Sequence, residues 1–217
     1  MRFLADFDVP WKEPIQERSR ERVAAILAAA RELIAEGGLG NLKMGPLAER
    51  AGVPIGTIYQ FFPGRDAVVG CIFAAQMEEA LEDVYQACNP EHELEAPAAA
   101  VTSIMMAKYR EWRADPVMAE IWSIAQADRA LRGLALAASR ATAEIKARAL
   151  KPFLKPDVSE ERLHRVLFMV SDLYDAAIHA ALDFPPDEAA ELMEEYAVMV
   201  SNHISSLLRS PASPGNR

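Results

Sequence analysis

Residues 47–65 read LAERAGVPIGTIYQFFPGR, and this stretch decides the fold of the N-terminal part of the chain. Leu47, Ala48 and Ala51 recur at helical spacing, so they predict one apolar face on a short helix. Gly52 follows as a turn residue that can take a positive φ without a Cβ clash. A second short helix comes after the turn. The stretch therefore predicts a helix-turn-helix, the geometry that places a helix in the major groove of DNA.

The second helix of this pair has an inner and an outer side. Ile58 and Phe62 are four residues apart, so both face back onto the first helix of the pair. A phenol, a hydroxyl and an amide point the other way, and such groups hydrogen-bond phosphates and base edges. The outward side chains are Ile55, Thr57, Tyr59 and Gln60.

A longer amphipathic helix precedes this pair, with a predicted range of Glu17 to Glu36 and a stop at Gly37-Gly38. The pair itself matches the pattern L-A-x-x-A-G-V-x-x-G-T-h-Y-x-x-F-x-x-K/R-D/E-A, where h is apolar. The chain therefore resembles the TetR family of bacterial transcriptional regulators. The motif-bearing resemblance covers roughly residues 18 to 70. The rest of the chain resembles the family in length and helical character.

The resemblance implies a role for each outward side chain of the motif. Thr57 and Tyr59 match family positions that touch phosphates, whereas Ile55 and Gln60 lie where base edges are read. Arg65 matches a basic position that contacts phosphate from the start of the next helix. For Tyr59 the alternative is packing against the first helix.

Three further cations complete the predicted DNA-binding set. Lys43 precedes the second helix where the family usually has a capping Ser or Thr, and Pro54 stands where the family often has a capping Ser. Loss of such a side-chain cap costs about 1 kcal/mol, and these departures leave the exact contact list open. Arg18 and Arg20 begin the first helix. They either reach the DNA backbone or a minor groove, or they form a solvated helix start.

The charge of the chain is unevenly distributed. The formal net charge is −9, but residues 12–65 hold eight Lys/Arg against six Asp/Glu, a net charge of +2. Residues 66–217 hold 14 Lys/Arg against 24 Asp/Glu, a net charge of −10. Nucleic-acid binders usually have a basic balance, so charge alone would not predict this function. A weakly basic module needs a second copy and precise phosphate contacts to bind DNA.

Composition indicates a soluble protein. The chain has 217 residues, of which 51% are hydrophobic, and it contains no run of 18 apolar residues, so a membrane-spanning class is excluded. The N-terminal MRFLADFD carries early acids and lacks an apolar core of signal-peptide length. We therefore expect a cytoplasmic protein with no membrane partner.

Helical periodicity continues almost to the end of the chain. We predict an all-α protein with an N-terminal three-helix helix-turn-helix DNA-binding domain and a C-terminal helical ligand-binding and dimerisation domain. The predicted division is a flexible arm at 1–11, the DNA-binding domain at 12–64, the effector-binding and dimerisation domain at 65–208 and a disordered tail at 209–217. Predicted helices of the second domain are 65–88, 98–114, 116–127, 128–150, 159–182 and 187–208.

The last two predicted helices carry long apolar stripes. Such surfaces can close the core of one monomer and also pair with a second copy. The resemblance implies that these helices build a four-helix dimer interface. A two-fold homodimer would match palindromic half-sites on DNA.

The region 89–182 supplies candidate effector contacts, because aromatic and methionine side chains with a few polar groups typically line a pocket between helices. The resemblance places the family's pocket in the same region. At helical spacing the same side chains are also typical of a plain core. Asp175 and His179, one turn apart, either orient a ligand, bind a metal or form an ion pair. The predicted pocket residues are Met105, Tyr109, Trp112, Trp122, Phe168, Asp172, Asp175 and His179.

An enzyme is the alternative from another functional class. Glu161-Arg162-Leu163-His164 is an E-x-x-H element of the kind found in di-iron bundles, but the sequence lacks a second one. It also lacks G-x-S-x-G, a phosphate-binding Gly-rich loop and H-E-x-x-H. We therefore predict no catalysis, no cofactor and no metal site.

These observations predict a transcriptional repressor that binds palindromic operator DNA as a homodimer. A small, largely apolar effector would release it. The predicted partners are double-stranded DNA, a second copy bound through the last two helices, and the effector. The alternatives are an activator, a regulator that responds to no ligand, and a helical ligand-binding or metal-dependent enzyme that does not bind DNA.

Overall fold

The computed structural model describes residues 16–88, 96–125 and 127–209. This part of the chain is helical, without a β-strand, which confirms the all-α prediction. The helices are α1 (Glu17–Gly37), α2 (Met44–Ala51), α3 (Ile55–Phe61), α4 (Arg65–Ala87), α5 (Pro97–Ala114), α6 (Pro116–Ala125), α7 (Arg129–Leu150), α8 (Glu160–Leu182) and α9 (Pro186–Leu207). Short 3-10 turns lie at Leu39–Asn41 and Lys151–Phe153. Among the helices described, none is long and apolar enough to cross a membrane.

The observed helix ends lie within a few residues of the predicted ones, and local chemistry explains them. Ser159 caps α8, because its Oγ accepts a hydrogen bond from the Arg162 backbone N–H at 3.2 Å. Asp115 separates α5 from α6 and caps α6, since its Oδ1 accepts from the Val117 N–H at 2.9 Å. Gly38 closes α1 at a φ of 70°, and its N–H bonds the Ile34 carbonyl.

The described helices form two compact units. The first unit contains residues 16–77 and 115–134, and it holds α1, α2, α3, the first half of α4, α6 and the start of α7. The second unit contains residues 78–88, 96–114 and 135–209. The predicted boundary at residue 64 falls at the start of α4, whereas the compact units divide within α4, after Met77.

Each unit has an apolar core of its own. In the first unit Ile26, Leu47 and Phe62 are fully buried, and α6 packs against α1. The rings of Phe73 and Trp122 pack edge to face, with their centroids 5.0 Å apart. In the second unit α5 packs against α9 and α8. Two tyrosines join its helices: Tyr174 donates a hydrogen bond to the Met105 carbonyl, and Tyr196 donates one to the Val170 carbonyl at 2.7 Å.

The C-terminal end of the described chain is held against an earlier segment. The predicted disordered tail begins at Arg209, yet this residue is ordered by three hydrogen bonds to the carbonyls of residues 152–154. The Arg209 backbone N–H donates to Phe153 at 2.8 Å, and its guanidinium donates to Leu154 at 2.9 Å and to Pro152 at 3.1 Å. The predicted arm at 1–11 and residues 210–217 lie outside the described residues.

Candidate nucleic-acid interface

The turn between α2 and α3 has the geometry that the sequence predicts. Gly52 adopts a left-handed conformation with a φ of 65°, which a side chain would disfavour. Its N–H bonds the Glu49 carbonyl at 3.2 Å, and the Val53 N–H bonds the Ala48 carbonyl at 3.1 Å. These two hydrogen bonds form a Schellman motif, so α2 ends at a fixed point and α3 leaves in a fixed direction.

The inner side of α3 anchors this helix in the first unit. Ile58 and the following Phe62 are fully buried, as their spacing predicts, and α3 packs against α2. Pro54 is the N-cap of α3, and no side-chain hydrogen bond caps either this helix or α2, whose N-cap is Lys43. Lys43 and Pro54 therefore leave α2 and α3 without the side-chain caps that Ser or Thr would supply, as the sequence indicates.

The outer side of α3 carries the predicted reading residues. Ile55 is 47% exposed and Tyr59 is 51% exposed, which is unusual for large apolar and aromatic side chains. Gln60 is exposed as well, whereas Thr57 is half-buried. About half of Tyr59 therefore remains open to solvent.

The predicted cations are exposed around this helix pair: Arg18, Arg20, Lys43 and Arg65. Two of them lie in exposed ion pairs, Arg20 with Glu17 at 3.3 Å and Arg65 with Asp66 at 3.3 Å. Exposed pairs of this kind contribute little to stability, so DNA phosphates can compete for these cations.

Arg50 has a structural role that the sequence did not reveal. Its guanidinium donates to the Glu36 carboxylate at 2.9 and 3.0 Å and to Glu32 at 3.2 Å. The hydrogen bond from Arg50 lowers the pKa of Glu36. Since Glu32 and Glu36 lie on α1, this network fixes α2 to α1. Arg50 is therefore already paired with carboxylates, although a count of charges would assign it to DNA binding.

Helix α6 is attached to the DNA-reading helices by polar contacts within the first unit. Arg31 of α1 forms an ion pair with Asp115, the N-cap residue of α6. The Leu39 backbone N–H, in the turn after α1, donates to the Glu120 carboxylate at 3.3 Å. A displacement of α6 would therefore be transmitted to α1 and to the turn that precedes α2.

The predicted effector residues do not all lie in one unit. Trp122 belongs to the first unit, where it packs against Phe73. The other seven lie in the second unit: Met105, Tyr109 and Trp112 are buried on α5, and Phe168, Asp172, Asp175 and His179 are half-buried on α8. Aromatic spacing cannot distinguish these environments, because α5 and α6 show the same apolar pattern.

A polar cluster between α7 and α8 includes residues that the sequence reasoning missed. The Ser139 hydroxyl donates to the Asp175 carboxylate at 3.5 Å, and Lys146 is buried on the same helix as Ser139. Burial is the main cause that raises the pKa of Asp175 to about 8 and lowers the pKa of Lys146 to about 8. The sequence does contain a signal for this cluster, because Lys146 stands at helical spacing between Ala143 and Ala149, which are buried positions of α7.

The same region gives no support to a metal centre. In residues 16–88, 96–125 and 127–209, no group of three or more His, Cys, Asp or Glu side chains is placed to hold a metal ion. Asp175 and His179 form no direct ion pair in this part of the chain, since the Asp175 carboxylate faces Ser139.

Known proteins resemble the chain in sequence and in structure. Residues 26–70 match the family model of bacterial regulatory proteins of the tetR family, and residues 95–208 match the tetracyclin repressor-like C-terminal domain. A comparison with curated proteins gives no match.

Solved structures share the fold. A TetR-family transcriptional regulator from Pectobacterium atrosepticum is 17% identical, with a TM-score of 0.68 over 91% of this chain and 100% of that chain. Another from Streptomyces coelicolor is 23% identical, with a TM-score of 0.65 over 88% of this chain and 100% of the other. SmeT of Stenotrophomonas maltophilia in complex with triclosan is 15% identical, with a TM-score of 0.63 over 91% and 98% of the two chains.

The two family models lie on the helix-turn-helix and on the helices that follow it, in the order that the family requires. Membership of this family also decides against the enzyme alternative, because its members are non-enzymatic regulators. Since the C-terminal model alone covers more than half of the 217 residues, the chain belongs to the TetR family of DNA-binding transcriptional regulators.

Proposed function

We propose that the chain is a repressor that reads a palindromic operator as a homodimer and releases it when a small molecule binds in its C-terminal part. The observation that carries this proposal is the outer face of α3, where Ile55 and Tyr59 stay half exposed over a fully buried Ile58. In this proposal residues 12–64 read DNA, residues 65–208 bind the effector and dimerise, and the protein acts in the cytoplasm.

Each residue of the α3 face has one expected contact with DNA. The hydroxyls of Tyr59 and Thr57 donate to phosphates, which fixes the helix in the groove. The Gln60 amide bonds a base edge, and Ile55 packs against a thymine methyl. The exposed cations Arg18, Arg20, Lys43 and Arg65 add sequence-independent attraction to the backbone.

A second copy of the chain is the expected partner of α8 and α9. Met169 and Leu173 are four residues apart on α8, and Leu192 and Met199 are seven apart on α9, so each pair lies on one helix face. These four apolar side chains are between 44% and 67% exposed. Exposed apolar clusters mark interaction surfaces, and the packing of α8 against α9 places both pairs on neighbouring helices.

Release of DNA follows from a population shift between two dimer conformations. An effector that binds one conformation better increases its population by that difference in affinity. A conformation whose recognition helices no longer match the half-site spacing would leave the operator. SmeT, a repressor of a multidrug efflux pump and a structural neighbour, has been solved with triclosan, which supports a repressor that binds a small molecule.

The DNA-reading roles are tested by gel shift on duplexes selected from a random-sequence library with the wild-type protein. Tyr59→Phe removes one phosphate hydrogen bond, so we expect affinity for all selected duplexes to fall by about three- to tenfold. Gln60→Ala removes a base contact and should change which duplexes are selected.

Tyr85→Phe is the matched control, because it deletes the same hydroxyl from a residue of the second unit, which does not contain α3. It should bind DNA like the wild type. Equal effects of Tyr59→Phe and Tyr85→Phe would contradict the assigned role of Tyr59. Absence of any salt-sensitive DNA binding by the wild-type protein at low salt would overturn the reading interface as a whole.

A further inference from the structure

The facing sides of α7 and α8 carry a set of polar side chains that the proposed DNA reading does not use. Ser139 and Lys146 are seven residues apart on α7, so they lie on one face of that helix. Ser171, Asp175 and His179 are spaced four apart on α8 and form one stripe. The hydrogen bond from Ser139 to Asp175 shows that the two faces meet. We call these five residues the α7–α8 polar site.

Lys146 is the unusual member of this site. Only 3% of the surface of Lys146 is exposed to solvent. In the part of the chain that the structure describes, its ammonium nevertheless forms no direct ion pair or hydrogen bond. Cys88 and, less strongly, Asp175 act on it electrostatically without a direct contact. A buried cation without a direct partner destabilises the folded state, so a lysine at this place needs a reason other than stability.

Lys108, in the same unit, shows how this chain stabilises a buried lysine that has a structural role. It is 6% exposed, and its Nζ lies 2.5 Å from the Asp83 carboxylate and 2.8 Å from the Glu111 carboxylate. Two carboxylates therefore compensate Lys108 directly. Lys146 has no such arrangement among the described residues, although both lysines are equally buried.

Two more groups of the α7–α8 polar site have unused hydrogen-bonding capacity. The Ser171 Oγ and the His179 Nδ1 are buried, and neither has a hydrogen-bond partner within the described residues. Buried polar atoms are nearly always paired in folded proteins. Both atoms lie on the α8 stripe, one turn on either side of Asp175, which is the residue of this stripe on which Lys146 acts electrostatically.

We propose that the α7–α8 polar site binds the carboxylate of a small organic acid, with Lys146 as the cation that pairs with it. This inference rests on the proposed function, because it names the chemical class of the effector. Ser171, one turn before Asp175 on α8, supplies a hydrogen bond to the same head group. Phe168 lies three residues before Ser171 on α8; the Arg140 guanidinium lies 5.9 Å from the centre of one face of its ring, and the rest of the ring offers apolar contact to the body of the molecule. An acid with an apolar body then replaces the largely apolar effector that composition alone predicts.

The electrostatic balance of the site favours an anion over a cation. Burial and the neighbouring Asp172 raise the pKa of Asp175 to about 8, so its carboxyl is mostly protonated at neutral pH. Burial lowers the pKa of Lys146 to about 8, which leaves most of the ammonium charged at the same pH. A neutral Asp175 carboxyl does not neutralise the charged ammonium of Lys146, and the protonated Asp175 becomes a further donor.

Calorimetry and thermal unfolding with acid and amide pairs test the proposal. The probes are benzoate, 3-phenylpropionate and octanoate, each compared with its own amide. A charge-assisted hydrogen bond to Lys146 predicts that at least one acid binds about tenfold to a hundredfold tighter than its amide. Lys146→Met should abolish this preference and keep a melting temperature at or above that of the wild type, because it removes a buried, unpaired charge.

Lys108→Met is the matched control, since it removes the other buried lysine of the unit together with its two ion pairs. It should lower the melting temperature and leave the preference of the folded protein for acids intact. Acids that bind no better than their amides would overturn the proposal. A large fall in melting temperature or a failure to fold for Lys146→Met would also overturn it, because Lys146 would then be a structural partner of Asp175.

Gel shift separates this inference from the proposed function. Wild type and Lys146→Met should bind the same DNA, and the preferred acid should release the wild type alone. DNA binding without an acid preference would overturn the acid site and leave the repressor proposal standing. An acid preference without DNA binding would overturn the repressor proposal and leave the acid site standing.

Discussion

At the scale of single residues, Asp175 shows how burial changes the chemistry of a side chain. The ordinary pKa of an aspartate is 3.8, and burial together with Asp172 raises the pKa of Asp175 to about 8. The Ser139 hydrogen bond and Lys146 act in the opposite direction and are too weak to prevent this. Sequence reasoning could select Asp175 as a polar group in an apolar region, but it could not predict its protonation state.

Asp175 should make folding stability depend on pH. Because the folded state holds a proton that the unfolded state loses near pH 4, the wild type should lose stability as pH rises from about 4 to about 8. Asp175→Asn cannot ionise, so its melting temperature should exceed that of the wild type increasingly across this window. Thermal unfolding of both proteins from about pH 5 to about pH 8 measures this, and parallel curves would contradict the raised pKa.

Lys146 should have the complementary effect at higher pH. Its pKa falls from 10.5 to about 8 on folding, so the folded protein releases a proton that the unfolded chain keeps. The penalty for the buried ammonium is complete below pH 8 and disappears as pH rises towards 10.5. Lys146→Met should therefore remove any gain in stability that the wild type shows between these values.

At the scale of elements, the turn between α2 and α3 depends on one glycine. Gly52→Ala places a Cβ at a φ of 65°, and although the surrounding space is open, the left-handed conformation should cost about 1 to 2 kcal/mol. Gly45→Ala is the matched control, because Gly45 lies inside α2 with open space around it and no positive φ. Alanine is the better helix former there, so this variant should gain up to about 1 kcal/mol.

Chemical denaturation of both variants measures these free energies of unfolding. The prediction is a difference of sign between two Gly-to-Ala changes seven residues apart. A stabilising Gly52→Ala would mean that this turn does not need the left-handed conformation.

Asp115 combines a helix cap with a contact between elements. Its Oδ1 caps α6 through the Val117 N–H, and its carboxylate pairs with Arg31 of α1. Asp115→Asn keeps a capping oxygen and loses the charge, so we expect a loss of less than about 1 kcal/mol for this partly exposed pair. Asp115→Ala also loses the cap and should cost about 1 kcal/mol more. Equal free energies of unfolding for the two variants would show that the cap contributes nothing.

At the scale of the whole molecule, the exposed apolar faces of α8 and α9 are the proposed dimer surface. Leu173→Glu and Met199→Glu place charges on side chains that are 48% and 67% exposed in the single chain. Burying an unpaired carboxylate in a dimer interface is costly, so both variants should become monomers without losing helix content. Light scattering and circular dichroism measure this, and the monomers should bind a palindromic duplex far more weakly than the wild type.

Glu194→Gln is the matched control for these variants. Glu194 is exposed on α9, and its spacing of two residues from Leu192 and five from Met199 places it off their face, so a neutral residue of the same size should leave the dimer intact. A Leu173→Glu or Met199→Glu protein that remains dimeric would contradict the proposed partner surface of α8 and α9.

The division of the molecule into units differs from what the sequence indicates. The motif ends near residue 70, so the sequence places a boundary beside it, yet the compact units divide at Met77 and the first unit includes α6. This grouping depends on contacts between distant segments, such as Arg31 with Asp115 and Phe73 with Trp122. Spacing along one helix reports which face is apolar, and it does not report which distant helix covers that face.

The sequence by itself determined the helices, the helix-turn-helix and the family. Turn chemistry at Gly52 and the period of Ile58 and Phe62 are local properties, so they can be read from neighbouring residues. Tertiary structure decided the environment of each polar group: Arg50 is occupied by α1, Trp122 joins the first unit, and Lys146 is buried without a direct partner among the described residues. Burial and electrostatic partners are set by segments far apart in the chain, and helical periodicity carries no information about them.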